Sequence, residues 1–245
     1  MPKLEVWPVE GLPEIEPGDD LGALISGVAD LEEGDTLVVA QKVISKAEGR
    51  LLDLNSVEVG PRASELAATL ESDPRILQVV LNESQRVVRS ERVLIVETHH
   101  GFICANAGVD HSNVPGKDNV CLLPLDPDAS AGALRRRILE VTGANVGVII
   151  SDTFGRPWRV GLTNVALGVS GMAALVDYRG QADDHQQELQ ATVIAIADEL
   201  AGMAELVMGK TRRIPAALIR GGDWTTHREG TARDLIRPAD MDLFR

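Results

Sequence analysis

The chain has 245 residues, 44% of them hydrophobic, and a formal net charge of −13, a size and composition that support a packed core and exclude disorder as the starting assumption. The acidic balance, with no Lys/Arg run, excludes a general nucleic-acid binder, so any anionic ligand needs a local basic pocket. No stretch approaches roughly 18 successive apolar residues, and the opening MPKLEVWPVEGLPEIEPGDD lacks a signal peptide's apolar centre; the expectation is a cytoplasmic protein without a membrane partner.

In chain order, GLPEIEPGDDLGALISG reads as a loop and then a helix over about 19–29, capped by Asp19 or Asp20. Gly34–Asp35 turns into a strand from Thr36 to Val43–Ile44. Pro61 opens a second helix and a short third one covers Pro74–Leu81. VLIVETHH and GFICANAG, flanking His100–Gly101, form a hairpin pattern. Asp128 or Ser130 caps a helix through ALRRRILEVT, which Gly143 closes before a buried strand over Asn145–Ile150. The longest helix is expected from about Asp183 to Met208, with Leu189, Val193, Ile196, Leu200, Met203 and Val207 along one face. AALIR makes a last strand before Gly221–Gly222. Without repeats, low-complexity tracts or a linker, the chain reads as one α+β unit over 1–245, with mixed sheets, hairpins and several helices.

Cys104 and Cys121 have no CxxC partner, which excludes a disulfide framework and favours free buried thiols. The five histidines show no HxxxH or HxH spacing for zinc, and GxSxG and GxGxxG are absent. MGKT at 208–211 has the end of a phosphate-binding GxxxxGK[ST] loop, but Ala204 stands at its first glycine and a helix precedes it where a strand is required. Gly209, Lys210, Arg212 and Arg213 still form a basic turn, suited to an anion or simply to the negative end of a helix. In QKVISKAEGR, Lys42, Lys46 and Arg50 follow an apolar run and suit either a phosphate or a solvated edge.

NAGVDHSNV bunches Asp110, His111, Ser112 and Asn113 where a strand yields to a loop; an Asx-turn explains the same residues. The second carboxylate comes from VGVIISDTFGRPWR, where a β-prone run stops at Asp152–Thr153. Two strand-end carboxylates with a hydroxyl and an amide make a hard oxygen set of the kind that holds Mg²⁺ or Mn²⁺ beside phosphate.

These motifs, in order over about residues 9–222 together with SDTFGRPWRVGLTNVALG, DYRG and VMGKTRRIPAALIRG, resemble the coenzyme F420:L-glutamate ligases, also called F420-0:γ-glutamyl ligases. The resemblance implies a family-specific ligase fold in an intertwined homodimer. It implies GTP-dependent addition of γ-linked L-glutamate to the deazaflavin precursor coenzyme F420-0, and onward to longer forms, through an acyl phosphate. It implies a GTP pocket at Leu12, Pro13, Glu14, Ile15, Gln41, Lys46 and Asn113, with Gly209 and Lys210 near it. Two divalent metal ions would sit on Asp110, Asp152 and Thr153, with K⁺ as a further candidate ion. No side chain is required as nucleophile; Arg156 is expected to steady phosphates. Some relatives continue into a C-terminal flavin-dependent reductase domain, and RPADMDLFR suits a terminus or such a boundary. A metal-dependent nucleotide hydrolase and a non-enzymatic cofactor-binding module stand as rival readings.

Overall fold

A computed structural model describes residues 3–112, 114, 116–226 and 229–242. In chain order the strands and helices are β1 (Glu5–Pro8), α1 (Leu21–Ser26), β2 (Thr36–Ala40), α2 (Gln41–Ala47), β3 (Leu51–Asp53), α3 (Pro61–Leu70), α4 (Pro74–Asn82), β4 (Ser84–Arg89), β5 (Ile95–Thr98) and β6 (Ile103–Ala105). There follow β7 (Asn119–Cys121), α5 (Pro127–Thr142), β8 (Gly147–Arg156), β9 (Arg159–Ser170), β10 (Val176–Asp177), β11 (Val193–Ile194), α6 (Ile196–Met208) and β12 (Ala216–Arg220). The fold is of mixed α+β class, as the sequence led us to expect.

Its centre is a five-stranded sheet in the order β1-β12-β2-β8-β9, in which only the β2 and β8 pair is parallel. The apolar runs TLVVA and GVII are continuous because both faces are covered. Side chains of one strand alternate between the faces: Leu37, Val39, Val148 and Ile150 pack with Ile25, Ile44, Leu134 and Ile138 from α1, α2 and α5. Val38 and Ile149 pack on the other face with Leu200, Ala201 and Ala204 of α6. At Gly168 the carbonyl of Pro127 comes so close that a Cβ would lie 2.2 Å from it, so glycine is what lets α5 start against β9.

Residues 51–123 form an excursion from this sheet. β3 pairs with β7, the β4-β5-β6 sheet turns at His99–Gly101, and Leu66, Leu77, Val80, Leu94 and Val96 make a separate core under α3 and α4. Cys104 and Cys121 are both free and buried there, as composition implied.

Several boundaries differ from expectation. The first helix is only Leu21–Ser26, capped by the Asp20 carboxylate, which accepts the Ala23 N–H at 3.0 Å. The strand from Thr36 ends at Ala40 and gives way to α2, because Ala40, Val43, Ile44 and Ala47 recur at helical spacing on one core-facing stripe. α5 starts earlier than its expected caps: Asp126 accepts from Ala129 N–H, Pro127 occupies the first turn, and Asp128 instead accepts the Val169 and Ala232 N–H groups.

The helix expected from Asp183 is confined to α6, which leaves α5 as the longer. Asp183 turns its carboxylate on the His185 and Gln187 N–H groups at 2.8 Å each, and Val193 joins β11, so the apolar spacing of Leu189 and Val193 serves a turn and a strand. Most consequential for function, β8 does not end at Ile150. It runs to Arg156 as the first half of a hairpin, so Asp152 and Thr153 lie within a strand and not at its end.

Candidate active site

β2 and β8 run in parallel with Ala40 opposite Ser151, so the start of α2 and the Asp152 segment, where β8 continues paired with β9, lie at the same end of the β2–β8 pair. That carboxyl-terminal edge of parallel strands is where open sheets hold ligands. Between Ile150 and Ser151 the pairing with β9 skips Leu167, a bulge that re-aims the strand immediately before Asp152. Asp152 is half-buried. Burial pushes its carboxyl up to about 6 and the like charge of Asp110 adds to this, against opposing effects from the Thr153 N–H, Lys42 and Lys210. The two carboxylates, 42 positions apart in sequence, therefore share one electrostatic field.

Asp110 arrives from the excursion. Its backbone bridges Cys121 through Asp110 N–H to Cys121 O at 3.1 Å and Cys121 N–H to Asp110 O at 2.8 Å. Lys42 of α2 donates to Asp110 Oδ2 at 2.7 Å, to Ser112 O at 2.6 Å and to Ser112 Oγ at 2.9 Å. All three ammonium protons are thus engaged. Ser112 returns its N–H to Asp110 Oδ1 at 2.7 Å and its hydroxyl to Oδ2 at 2.8 Å. Burial opposes the Asp110 charge, but Lys42 and the Ser112 donors outweigh it and hold the carboxyl below its ordinary range.

Thr153 alternates to the opposite face of β8, toward α6. Its hydroxyl donates to Asn164 Oδ1 at 2.8 Å, and Asn164 Nδ2 donates to Glu205 Oε2 at 3.1 Å. Lys210, delivered by the turn at Gly209 (φ 60°), donates to Thr153 Oγ1 and lies 3.4 Å from Glu205. The MGKT turn is thus joined to the Asp152–Thr153 strand.

A third group lies at the loop 12–15. Leu12 and Ile15 pack against the core beside α2, Pro13 is exposed, and Glu14 pairs with Lys46 and, at 3.7 Å, with Arg213. Gln41 is buried, its Oε1 accepting from Ser45 Oγ at 2.9 Å. Arg156 donates to Val160 O of its own hairpin at 3.0 Å. Asn113 lies outside the described residues.

Asn164 and Glu205 carry no site motif in the sequence, and the sequence marks Lys42 only as a residue able to reach phosphate. The helical spacing through 40–47 was the available signal for Lys42. Asn164 had none: counted from the Arg156–Arg159 closure, Thr153 would face Leu162, but an irregularity beside Gly155 shifts the register by two.

Among the described residues no group of three or more His, Cys, Asp or Glu side chains gathers as a metal-ligating cluster. Asp110 and Asp152 offer carboxylate oxygens, the latter desolvated beside a like charge, and the hydroxyl of the neighbouring Thr153 lies on the other face of β8 beside Lys210. Oxygen donors of this kind fit a hard divalent cation.

The family model described as F420-0:Gamma-glutamyl ligase matches residues 11–221. The chain is 46% identical to the coenzyme F420:L-glutamate ligase of Methanopyrus kandleri, over 100% of this chain and 99% of that protein. It is 46% identical to the enzyme of the same name from Archaeoglobus fulgidus, over 99% and 97%, and 44% identical to that of Methanocaldococcus jannaschii, over 99% and 97%.

Proposed function

The chain belongs to the F420-0:gamma-glutamyl ligase family, a ligase family of coenzyme F420 biosynthesis, and from that premise we propose that it uses GTP and divalent metal to add L-glutamate to coenzyme F420-0 and then to its glutamylated products. The observation that carries this reading is that Lys42 of α2, a helix starting beside the residue opposite Ser151, holds Asp110 from the excursion at 2.7 Å, while Lys210 holds Thr153 next to Asp152. An acidic protein of net charge −13 needs such a local cation supply to take two anionic substrates.

A carboxylate is a poor acyl donor, so the precursor's carboxylate oxygen bonds to the γ-phosphorus of GTP as the bond to GDP breaks. The amine of glutamate then attacks the acyl carbon, loses a proton and expels phosphate. Asp110, Asp152 and Thr153 would hold Mg²⁺ or Mn²⁺, which would neutralise charge on the transferring phosphoryl group. The chain's own part is positioning. Lys46 and Lys210 steady phosphate oxygens, Glu14, Gln41 and the loop 12–15 border the nucleotide, and Lys42 holds Asp110 in place.

The same reading includes a homodimer. Beyond Ser151, β8 pairs only with β9, and the resulting arm exposes Trp158 at 79%, Val160 at 100% and Leu162 at 68%. An apolar arm of this kind suits a second copy of the chain. Light scattering on a Trp158→Ser, Leu162→Ser variant is expected to read the monomer mass; an unchanged mass refutes the arm's role.

Phosphate release from GTP with Mg²⁺ or Mn²⁺ tests the chemistry. A ligase releases little until glutamate and coenzyme F420-0 are both present. Brisk release without them would favour a hydrolase, and failure of GTP and metal to raise the melting temperature would favour a binding module.

A further inference from the structure

We propose that Asn164 and Glu205 are positioning residues that dictate which way the Thr153 hydroxyl points, so that its oxygen faces the site as an acceptor only. The inference rests on reading the Asp152–Thr153 strand as the cation-binding edge. The direction follows from donor and acceptor inventory. A carboxylate such as Glu205 can only accept, so the end of the Asn164 amide that meets Glu205 Oε2 at 3.1 Å is Nδ2. Oδ1 therefore faces Thr153 at 2.8 Å, and since a carbonyl oxygen has no proton to give, the hydroxyl must donate. One proton is then spent. Of the two lone pairs on Thr153 Oγ1, Lys210 takes one, and the other is left for a cation.

Asn164 is 4% exposed, so its amide is shielded from bulk solvent and its orientation is set by Glu205 from the side of α6. Glu205 comes from α6 and Asn164 from β9, so the relay ties the sheet's exposed edge to the helix packed beneath it. Without Asn164 the hydroxyl rotor is free, and its proton can turn toward the cation and oppose binding. A purely structural tie between β9 and α6 would use the same bonds, so the test must read the cation and not only stability.

The experiment is a double-mutant cycle on Asn164→Ala and Thr153→Val in the full chain, reading Mn²⁺ affinity by electron paramagnetic resonance, GTP-dependent turnover and melting temperature. Asn164→Ala is expected to weaken Mn²⁺ binding and turnover by about 10–100-fold. Thr153→Val is expected to do the same, and the double variant to be no worse than Thr153→Val alone. A second, fold-preserving arm uses Asn164→Asp with Glu205→Gln. The single Asn164→Asp change sets two carboxylates together and weakens Mn²⁺ binding; the paired variant restores donor-to-acceptor order and recovers it.

Losses that add fully in the cycle, or a lowered melting temperature with wild-type Mn²⁺ affinity, overturn the relay. Wild-type Mn²⁺ affinity and turnover in Thr153→Val would instead refute the reading of the strand itself, and the relay with it.

Discussion

Asp110 and Asp152 are built in opposite ways. Asp110 sits in a loop where its chain supplies the counter-charge: Lys42 and two Ser112 donors hold it ionised. Asp152 sits within a strand, held by packing on either side and by burial that pushes it to about 6, with no side-chain cation paired to it among the described residues. The contrast teaches where each half of the site gets its order. The Asp110 half is closed by its own hydrogen bonds, whereas the Asp152 half is ordered by the sheet and left short of positive charge.

The largest expected break in that contrast is Asp152→Asn. Ligation measured by mass spectrometry of glutamylated product should fall on the order of 10³-fold or more with circular dichroism unchanged, because the strand supplies packing and the carboxylate supplies charge. Turnover near wild type would remove Asp152 from the site. Lys42→Met is next: it turns Asp110 into a second uncompensated carboxylate, with turnover expected to fall about 10–100-fold. Its metal-free unfolding free energy should fall by about 1–2 kcal/mol. Wild-type values in both would show that Asp110 needs no partner.

A smaller effect concerns the metal-free protein and has opposite signs at the two residues. The folded value of Asp152, about 6, lies above the ordinary 3.8, so the folded chain keeps a proton that the unfolded chain releases between about pH 4 and pH 6. Stability from this group is therefore lost as pH rises through that window, and at neutral pH Asp152→Asn should raise the unfolding free energy by about 1–3 kcal/mol. Asp110 is lowered, so its contribution is present above 3.8 and is lost as pH falls below that value. Asp110→Asn should lower neutral-pH stability by about 1 kcal/mol. Chemical denaturation across pH 2–8 without metal checks both; parallel curves for the two variants would erase the distinction.

The smallest effect is expected at the thiols. Burial, with the Asp152 charge second, pushes Cys104 up to about 12, and burial also raises Cys121, so neither is a thiolate near neutral pH. Cys104→Ser and Cys121→Ser should keep turnover close to wild type. Loss of turnover with the fold intact would revive a thiol mechanism.

Much of the scaffold was legible because it is local. Pro61 and Pro74 at first turns, Gly143 in the left-handed conformation after α5, the His99–Gly101 turn and the AALIR strand depend on residues within a few positions of one another. The motifs with Asp110, Asp152, Thr153 and Lys210 were legible as residue types suited to one chemistry. Burial was not: a short continuous apolar run suits a buried strand or a buried helix segment alike, so the run from Thr36 to Ile44 hides where β2 ends and α2 begins, and β8 extends past Ile150 because β9 still pairs with its polar residues.

By itself, then, the sequence determined the secondary-structure repertoire, the acidic balance that demands a local cation supply, and the oxygen donors on offer. Only the tertiary structure decided that Lys42 meets Asp110, 68 positions away, and that Thr153 is tied through Asn164 to Glu205. The reason is physical: these pairings are set by the parallel register of β2 on β8, the bulge at Leu167 and the packing of α6 on β9. Each is a long-range choice among side chains that local propensity leaves open.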